Sequence, residues 1–152
     1  MTGSRRKARE AAMQSLYWTE SSGDPIAQTA RTMCLRAGLT DEATGFAIRL
    51  AQETWENGEA ADRLISGASE NWAIERMSRV DKILLRMALT EIDLFDDIPQ
   101  TVSIDEAIEL SKRYSVEKAP AFINGILDAI VKVRKETPGG EGELTQARSS
   151  TE

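Results

Sequence analysis

Apolar side chains recur every three or four residues along most of this chain, and no stretch shows the strict apolar–polar alternation of a half-buried strand. The pattern is clearest over 101–133, where two helices are predicted on either side of a polar corner at 115–120. The second of these helices carries a broad apolar stripe, which predicts a position near the centre of a helical bundle. The hydrophobic pattern therefore predicts an all-α fold.

Polar residues predict where the early helices begin and end. Ser4 is a favourable N-cap for a first helix. Asp24 followed by Pro25 predicts the cap and the first position of a second helix. Gly38 predicts the end of that helix, because glycine readily adopts the left-handed conformation that closes helices.

Several polar or small residues in the second half of the chain need an interpretation. A strong helix is predicted from about 74–95, with Glu91 on its inward side. An inward carboxylate is usually a satisfied structural group, and backbone N–H groups at another helix start would satisfy it. Ser103 and Glu106 match the S-x-x-E pattern of a capping box at the start of the next helix. Gly125 is interpreted as a point of close helix–helix approach in preference to a ligand contact.

The predicted first helix has two different faces. Small residues form a narrow face suited to close packing, namely Ala8, Ala11, Ala12, Ser15 and Leu16. The adjoining flank carries Arg5, Arg6, Arg9, Met13 and Tyr17. Guanidinium groups can bind phosphates bidentately, and an aromatic ring at the end of the row can stack on an unpaired base. Spacing alone leaves RNA binding and a solvated basic end both open, because short arginine runs are common.

Composition narrows the function. The 152 residues are 41% hydrophobic and 29% charged, as in ordinary soluble globular proteins. The sequence contains no apolar run long enough to predict a membrane span and no pattern that predicts a signal peptide. Cys34 is the only cysteine, so no intrachain disulfide forms, and its place on an apolar helix face predicts a buried thiol. With no histidine and no P-loop or G-x-G-x-x-G motif, we expect a binding protein without catalytic residues, metal or cofactor.

Charge is distributed unevenly along the chain. The net charge is −6, yet residues 1–18 hold four basic residues against one acid, which gives +3 and leaves −9 for the rest. This asymmetry predicts a polyanionic partner at one end and a basic partner elsewhere. The last residues are polar and rich in glycine, so we predict a helical domain over 1–135 and a disordered tail over 136–152.

Three motifs together resemble the NusB family of transcription antitermination factors. They are RRKAREAAMQSLY at 5–17, VDKILLRMALTEI at 80–92, and VSIDEAIELSKRY…FINGILD within 102–128. The resemblance covers about residues 4–133. It implies an all-α, NusB-like fold of about six to seven helices in two small helical bundles, without enzymatic activity.

The resemblance also implies partners. NusB-type proteins bind the boxA segment of nascent RNA together with NusE, a small-subunit ribosomal protein, in the RNA polymerase antitermination complex. The implied setting is cytoplasmic transcription of ribosomal RNA operons, with no membrane partner. Some family members form a homodimer through the RNA surface, so the small-residue face of the first helix is either core or dimer contact.

Residue by residue, the resemblance implies an RNA site and a protein site. The implied RNA-binding residues are Arg5, Arg6, Lys7, Arg9, Tyr17, Lys118, Phe122 and Asn124. Burial is the competing interpretation for Phe122, and capping of the corner for Asn124. Glu75 and Asp81 match acids that the family offers to NusE, although solvated surface charge is the alternative.

This chain departs from the family pattern in two places. The family often has a lysine just before the phenylalanine of the last helix, where this chain has Ala121, while Lys118 lies earlier in the corner. Asp105 stands where an asparagine is common.

Two other functions remain open: the RNA-binding domain of a ribosomal RNA cytosine methyltransferase, and a helical scaffold that binds acidic protein.

Overall fold

The computed structural model describes residues 2–69 and 74–136, which are helical apart from short connections. The described residues form α1 (Thr2–Ser22), α2 (Ile26–Ala37), α3 (Asp41–Glu56), α4 (Gly58–Ala68), a 3₁₀ turn (Ile74–Arg76), α5 (Arg79–Leu94), α6 (Gln100–Tyr114) and α7 (Ala119–Glu136). The all-α prediction and the expected number of helices are confirmed. The tail predicted to be disordered lies outside the described residues, apart from Glu136 at the end of α7.

The chain divides into two compact units, one containing α1–α3 and the other α4–α7. In the first unit, α2 ends as predicted, because Gly38 adopts φ 66° and its N–H donates to the carbonyls of Cys34 and Leu35. The start of α2 differs from the prediction by one position. Pro25 is the N-cap residue and its carbonyl accepts from the N–H of Thr29, so Asp24 lies outside the helix.

The core of the first unit is built from small side chains. Its buried members are Ala8 and Ala11 of α1, Met33 and Cys34 of α2, and Ala43 and Ala47 of α3. Small residues let helix backbones approach closely. The small-residue face of α1 is therefore buried against α2 and α3 of the same unit. This face is therefore core, and the dimer contact considered from sequence does not use it.

The thiol of Cys34 is buried, as predicted. Burial raises the pKa of this thiol, although a hydrogen bond with Thr44 acts in the opposite direction.

A polar pair also joins α1 to α2. The hydroxyls of Thr19 and Thr29 lie 2.6 Å apart, and both side chains are buried. Each hydroxyl can donate or accept, so the pair satisfies its own polar atoms inside the core.

The α1 helix itself begins at Thr2, two residues before the predicted cap at Ser4.

The second unit is organised around α5. Buried residues occupy almost every position from 83 to 91 on this helix: Ile83, Leu84, Leu85, Met87, Ala88, Leu89, Thr90 and Glu91. The helices α4, α6 and α7 all pack against it. The last helix, predicted to lie near the centre of a bundle, also packs against the other three helices of the unit, α4, α5 and α6. It buries Ile123 and Leu127 and exposes Asn124 and Gly125, so its apolar stripe covers only one side of the helix.

The start of α5 also differs from the prediction. Residues 74–76 form the separate 3₁₀ turn, and Ser78 caps α5 by accepting a hydrogen bond of 3.1 Å from the N–H of Asp81.

Two bidentate ion pairs attach the neighbouring helices α4 and α7 to α5. Arg86 of α5 binds Asp62 of α4 at 2.7 and 2.8 Å, and Arg134 of α7 binds Asp93 of α5 at 2.5 and 2.9 Å. Nothing in the local pattern indicated these pairs.

The predicted capping box at Ser103 is wrong. Pro99 is the N-cap of α6 and its carbonyl accepts from the N–H of Ser103, so Ser103 lies inside the first turn and is buried. Its hydroxyl donates a hydrogen bond of 3.0 Å to Oε1 of Glu91 on α5. The interpretation of Glu91 as a satisfied structural carboxylate is confirmed, and a hydroxyl on α6 is one group that satisfies it.

Two general features bear on function. None of the helices in the described ranges has the length and apolar character that a membrane span requires. Within the same ranges, no three of the side chains that commonly bind metals come together in a group suited to a metal ion.

Replacing Ser103 by alanine is expected to lower the free energy of unfolding by about 1.5–3 kcal/mol, because a buried carboxylate loses a charge-assisted hydrogen bond. Urea denaturation followed by circular dichroism measures this change. Ser66→Ala on the exposed side of α4 is the control, with an expected change within about 0.5 kcal/mol. Equal stability of the two variants would show that Ser103 does not support Glu91.

Candidate nucleic-acid interface

The solvent-facing side of α1 carries basic residues at one end and aromatic residues further along. Arg6 and Lys7 are exposed, and Arg5 is partly buried. Tyr17 exposes 44% of its surface. This side presents guanidinium and ammonium donors and accessible aromatic rings, which are the groups that bind phosphates and unpaired bases.

Arg9 differs from the other predicted RNA-binding residues because it is only 3% exposed. Its guanidinium carbon lies 5.3 Å from the ring centroid of Phe46 on α3, and that of Arg5 lies 4.6 Å from the same centroid. The two arginines are one helical turn apart, so a single ring covers both. The predicted row of arginines is therefore divided: Arg6 and Lys7 face solvent, while Arg9 packs against α3.

The second unit contains a groove of about 710 Å³ beside the predicted corner. Its lining is mainly apolar with a few charged side chains: Ala68, Ser69, Arg76, Met77, Ser78, Asp81, Val116, Lys118, Ala119, Ala121, Phe122, Gly125 and Ile126. A groove with apolar walls and a few convergent polar groups is a typical binding site. The sequence indicated Lys118, Phe122 and Asp81, but not the contribution of Arg76 or of the small residues between them.

The predicted contact residues of this corner have different exposures. Lys118 and Asn124 are exposed, and Phe122 is partly buried as it lines the groove. Asn124 cannot cap the corner, because α7 begins five residues earlier, at Ala119. The interpretation of Gly125 as a close helix–helix approach is wrong, since a Cβ added there would meet no atom within 4 Å. Gly125 instead leaves open space on the groove side of α7.

The two acids predicted to contact a protein partner also differ. Glu75 is exposed on the 3₁₀ turn. Asp81 is 7% exposed, and its Oδ1 accepts a hydrogen bond of 2.7 Å from the hydroxyl of Ser115 at the end of α6. Asp81 therefore ties the start of α5 to the corner, a role that neither sequence interpretation anticipated.

Comparison with known proteins gives a consistent result. The profile of the NusB family matches residues 6–132. The transcription antitermination protein NusB of Symbiobacterium thermophilum is 37% identical over 151 residues, which cover 94% of this chain and 99% of that relative. The corresponding protein of Pelotomaculum thermopropionicum is 44% identical over 133 residues, which cover 88% of this chain and 92% of that relative.

Solved structures show the same similarity. T. maritima NusB has a TM-score of 0.77 and 38% identity, with 84% of this chain and 90% of that chain covered. A crystal structure of the antitermination factors NusB and NusE in complex with dsRNA has a TM-score of 0.78 and 25% identity, with coverage of 88% and 99%. The similarity therefore extends across both units of the fold.

The burial of Arg9 generates a prediction about stability. Arg9→Ala is expected to lower the free energy of unfolding by about 2 kcal/mol, because it removes a desolvated cation–π contact and its packing against Phe46. Lys7→Ala, at an exposed position of the same helix, is expected to change it by less than about 0.5 kcal/mol. Urea denaturation of the two variants beside the unmodified protein measures the difference. If Arg9→Ala leaves the free energy of unfolding unchanged, the contact of Arg9 with Phe46 does not stabilise the fold and the prediction is wrong.

Proposed function

This chain belongs to the NusB family, and on that basis we propose that it binds boxA RNA together with NusE and so supports processive transcription of ribosomal RNA operons. Proteins of the family are antitermination factors and not enzymes. The structure of NusB and NusE in complex with dsRNA supports both proposed partners. The protein then acts as an adaptor that binds boxA RNA and NusE at the same time. It does so in the cytoplasm, within the RNA polymerase antitermination complex.

The observation that carries the proposal is the exposed basic and aromatic side of α1. Arg6 and Lys7 contact RNA phosphates, and Tyr17 stacks on a base or hydrogen-bonds to it. Arg5 keeps part of its surface accessible and adds a phosphate contact while its guanidinium rests on Phe46. Arg9 shares that ring, so we assign it the role of positioning Arg5 and not of contacting RNA directly.

The corner of the second unit supplies a further set of contacts. Lys118 provides a cation for a phosphate, and the exposed amide of Asn124 can hydrogen-bond to a base edge. The ring of Phe122 forms part of the groove wall, against which a base can stack. Ala121 lacks the cation that the family often has there, so Lys118 is the basic group that this corner offers.

The protein partner is assigned to the acidic part of the chain. Glu75 is exposed and can pair with a basic residue of NusE. Asp81 acts indirectly, because its hydrogen bond with Ser115 stabilises the corner that borders the groove. When RNA and NusE share one composite site, each raises the apparent affinity of the other by the same factor. A homodimer formed through the RNA surface would compete with RNA.

The methyltransferase-domain alternative is less well supported. A relative matched along 99% of its own length is a transcription antitermination protein. The scaffold alternative differs in its expected behaviour, because a generic acidic-protein binder would show no preference among RNA sequences.

Fluorescence anisotropy of a labelled boxA RNA tests the RNA function. We expect tighter binding to boxA than to a scrambled RNA, and a further increase in affinity when NusE is added. Arg6→Ala should weaken binding and reduce the slope of log K against log salt by about 0.7, the value for one phosphate on a single strand. Arg63→Ala is the control, since it removes an exposed arginine from the second unit. Equal affinity for both RNAs, or an Arg6 variant with the same slope as the control, would contradict the proposal.

A charge reversal at Glu75 tests the protein site. Glu75→Lys is expected to reduce the increase in boxA affinity caused by NusE by about tenfold, the effect of roughly 1.4 kcal/mol of lost coupling. Binding of RNA alone should not become weaker. Glu59→Lys, another exposed acid of the second unit, is the matched control and should retain the full NusE effect. A loss of coupling in both variants would indicate a general charge effect and not a contact at Glu75.

A further inference from the structure

Trp18 on α1 is large and apolar, yet it exposes 42% of its surface. It is held from two sides. Its Nε1–H donates a hydrogen bond of 3.1 Å to Oδ2 of Asp24, and the guanidinium carbon of Arg36 lies 5.7 Å from its ring centroid. An aromatic ring that is already oriented loses little conformational entropy when a ligand stacks on it.

The spacing along α1 connects Trp18 to the basic end of the helix. Lys7 and Trp18 are eleven residues apart, as are Arg6 and Tyr17. Eleven residues at 100° each bring a side chain back to within about 20° of the same direction, about 16 Å further along the axis. Two parallel rows result, each with a cation at one end and an exposed aromatic ring at the other.

The neighbouring helix adds positive charge beside this ring. Residues 26–37 of α2 include Arg31 and Arg36 and no acidic residue. Arg36 is exposed, and its guanidinium carbon lies over the Trp18 ring, 5.7 Å from the centroid, so a cation and an aromatic ring are in contact at one accessible place. These two groups complement the two parts of a nucleotide, because the ring can stack on a base while the guanidinium binds a phosphate.

We propose that Trp18 and Arg36 form a separate nucleotide subsite, which binds one unpaired base and its phosphate on the RNA strand that Arg6 and Lys7 also contact. Asp24 orients the indole ring through its hydrogen bond and does not contact RNA. The proposal rests on the proposed function, which it extends beyond the residues indicated by the family resemblance. It places RNA along the whole exposed side of α1 and onto the end of α2.

The first test compares two tryptophans of similar exposure in the same unit. Trp18→Leu should weaken binding of boxA RNA roughly 5- to 100-fold, the range for loss of one base–aromatic stack. Trp55→Leu, which removes a side chain that is 46% exposed on α3, should leave the affinity within about twofold. Trp18→Phe should retain most of the affinity, because it keeps an aromatic face while losing the hydrogen bond to Asp24.

Salt dependence separates the two halves of the subsite. Arg36→Gln should reduce the slope of log K against log salt by about 0.7, whereas Trp18→Leu should weaken binding without changing the slope. The Arg36 change lies on an exposed side chain, so it tests the subsite even where Trp18→Leu lowers stability. RNAs shortened at either end complete the test: removing the nucleotide that occupies the subsite should weaken the unmodified protein and leave Trp18→Leu unaffected.

The outcomes distinguish this proposal from the one on which it rests. If Arg6→Ala weakens boxA binding but Trp18→Leu and Arg36→Gln match the Trp55 control, the RNA function stands and the subsite is refuted. If the unmodified protein shows no preference for boxA, the proposed function itself fails. If Trp18→Leu affects only the response to NusE, the ring is a protein contact and the RNA subsite is again refuted.

Discussion

The close packing of the small-residue face of α1 is the constraint on which the proposed RNA surface depends. Ala8 and Ala11 lie in one core with residues of α2 and α3, so the rotation of α1 about its own axis is set. Once this face is buried, the helical repeat directs Arg6 and Tyr17 outward. A larger residue on the buried face would force the helices apart and turn the outer face with it. The geometry of the proposed RNA surface is thus a consequence of core packing.

Phe46 shows how the same packing gives similar residues different roles. Its ring lies near the guanidinium groups of both Arg5 and Arg9, yet only Arg9 is fully covered. A buried guanidinium on an aromatic face contributes to stability and to orientation, whereas an exposed one keeps its donors for a ligand. An arginine-rich motif can therefore combine structural and binding residues within a single helical turn.

The second unit relies on polar groups that are paired between helices. Glu91 on α5 accepts from Ser103 on α6, and Asp81 near the start of α5 accepts from Ser115 at the end of α6. These bonds fix both ends of α6 against α5, because a buried carboxylate that lost its partner would carry a large desolvation cost. The corner between α6 and α7 is thereby held in place, with Lys118 and Phe122 beside an open groove.

The amino-acid sequence by itself determined the helical class, the narrow small-residue face of α1, the buried Cys34 thiol, and the motifs that place the chain in its family. These features follow from periodicity and composition, which are local properties of the chain. Only the tertiary structure decided that Arg9 is covered, that Ser103 serves Glu91 and not a helix cap, and that Gly125 borders open space. Each depends on which side chain of another helix arrives at that position, as Phe46 does at Arg9. Helical spacing predicts which face is apolar, but it does not encode the neighbour that covers the edge of that face.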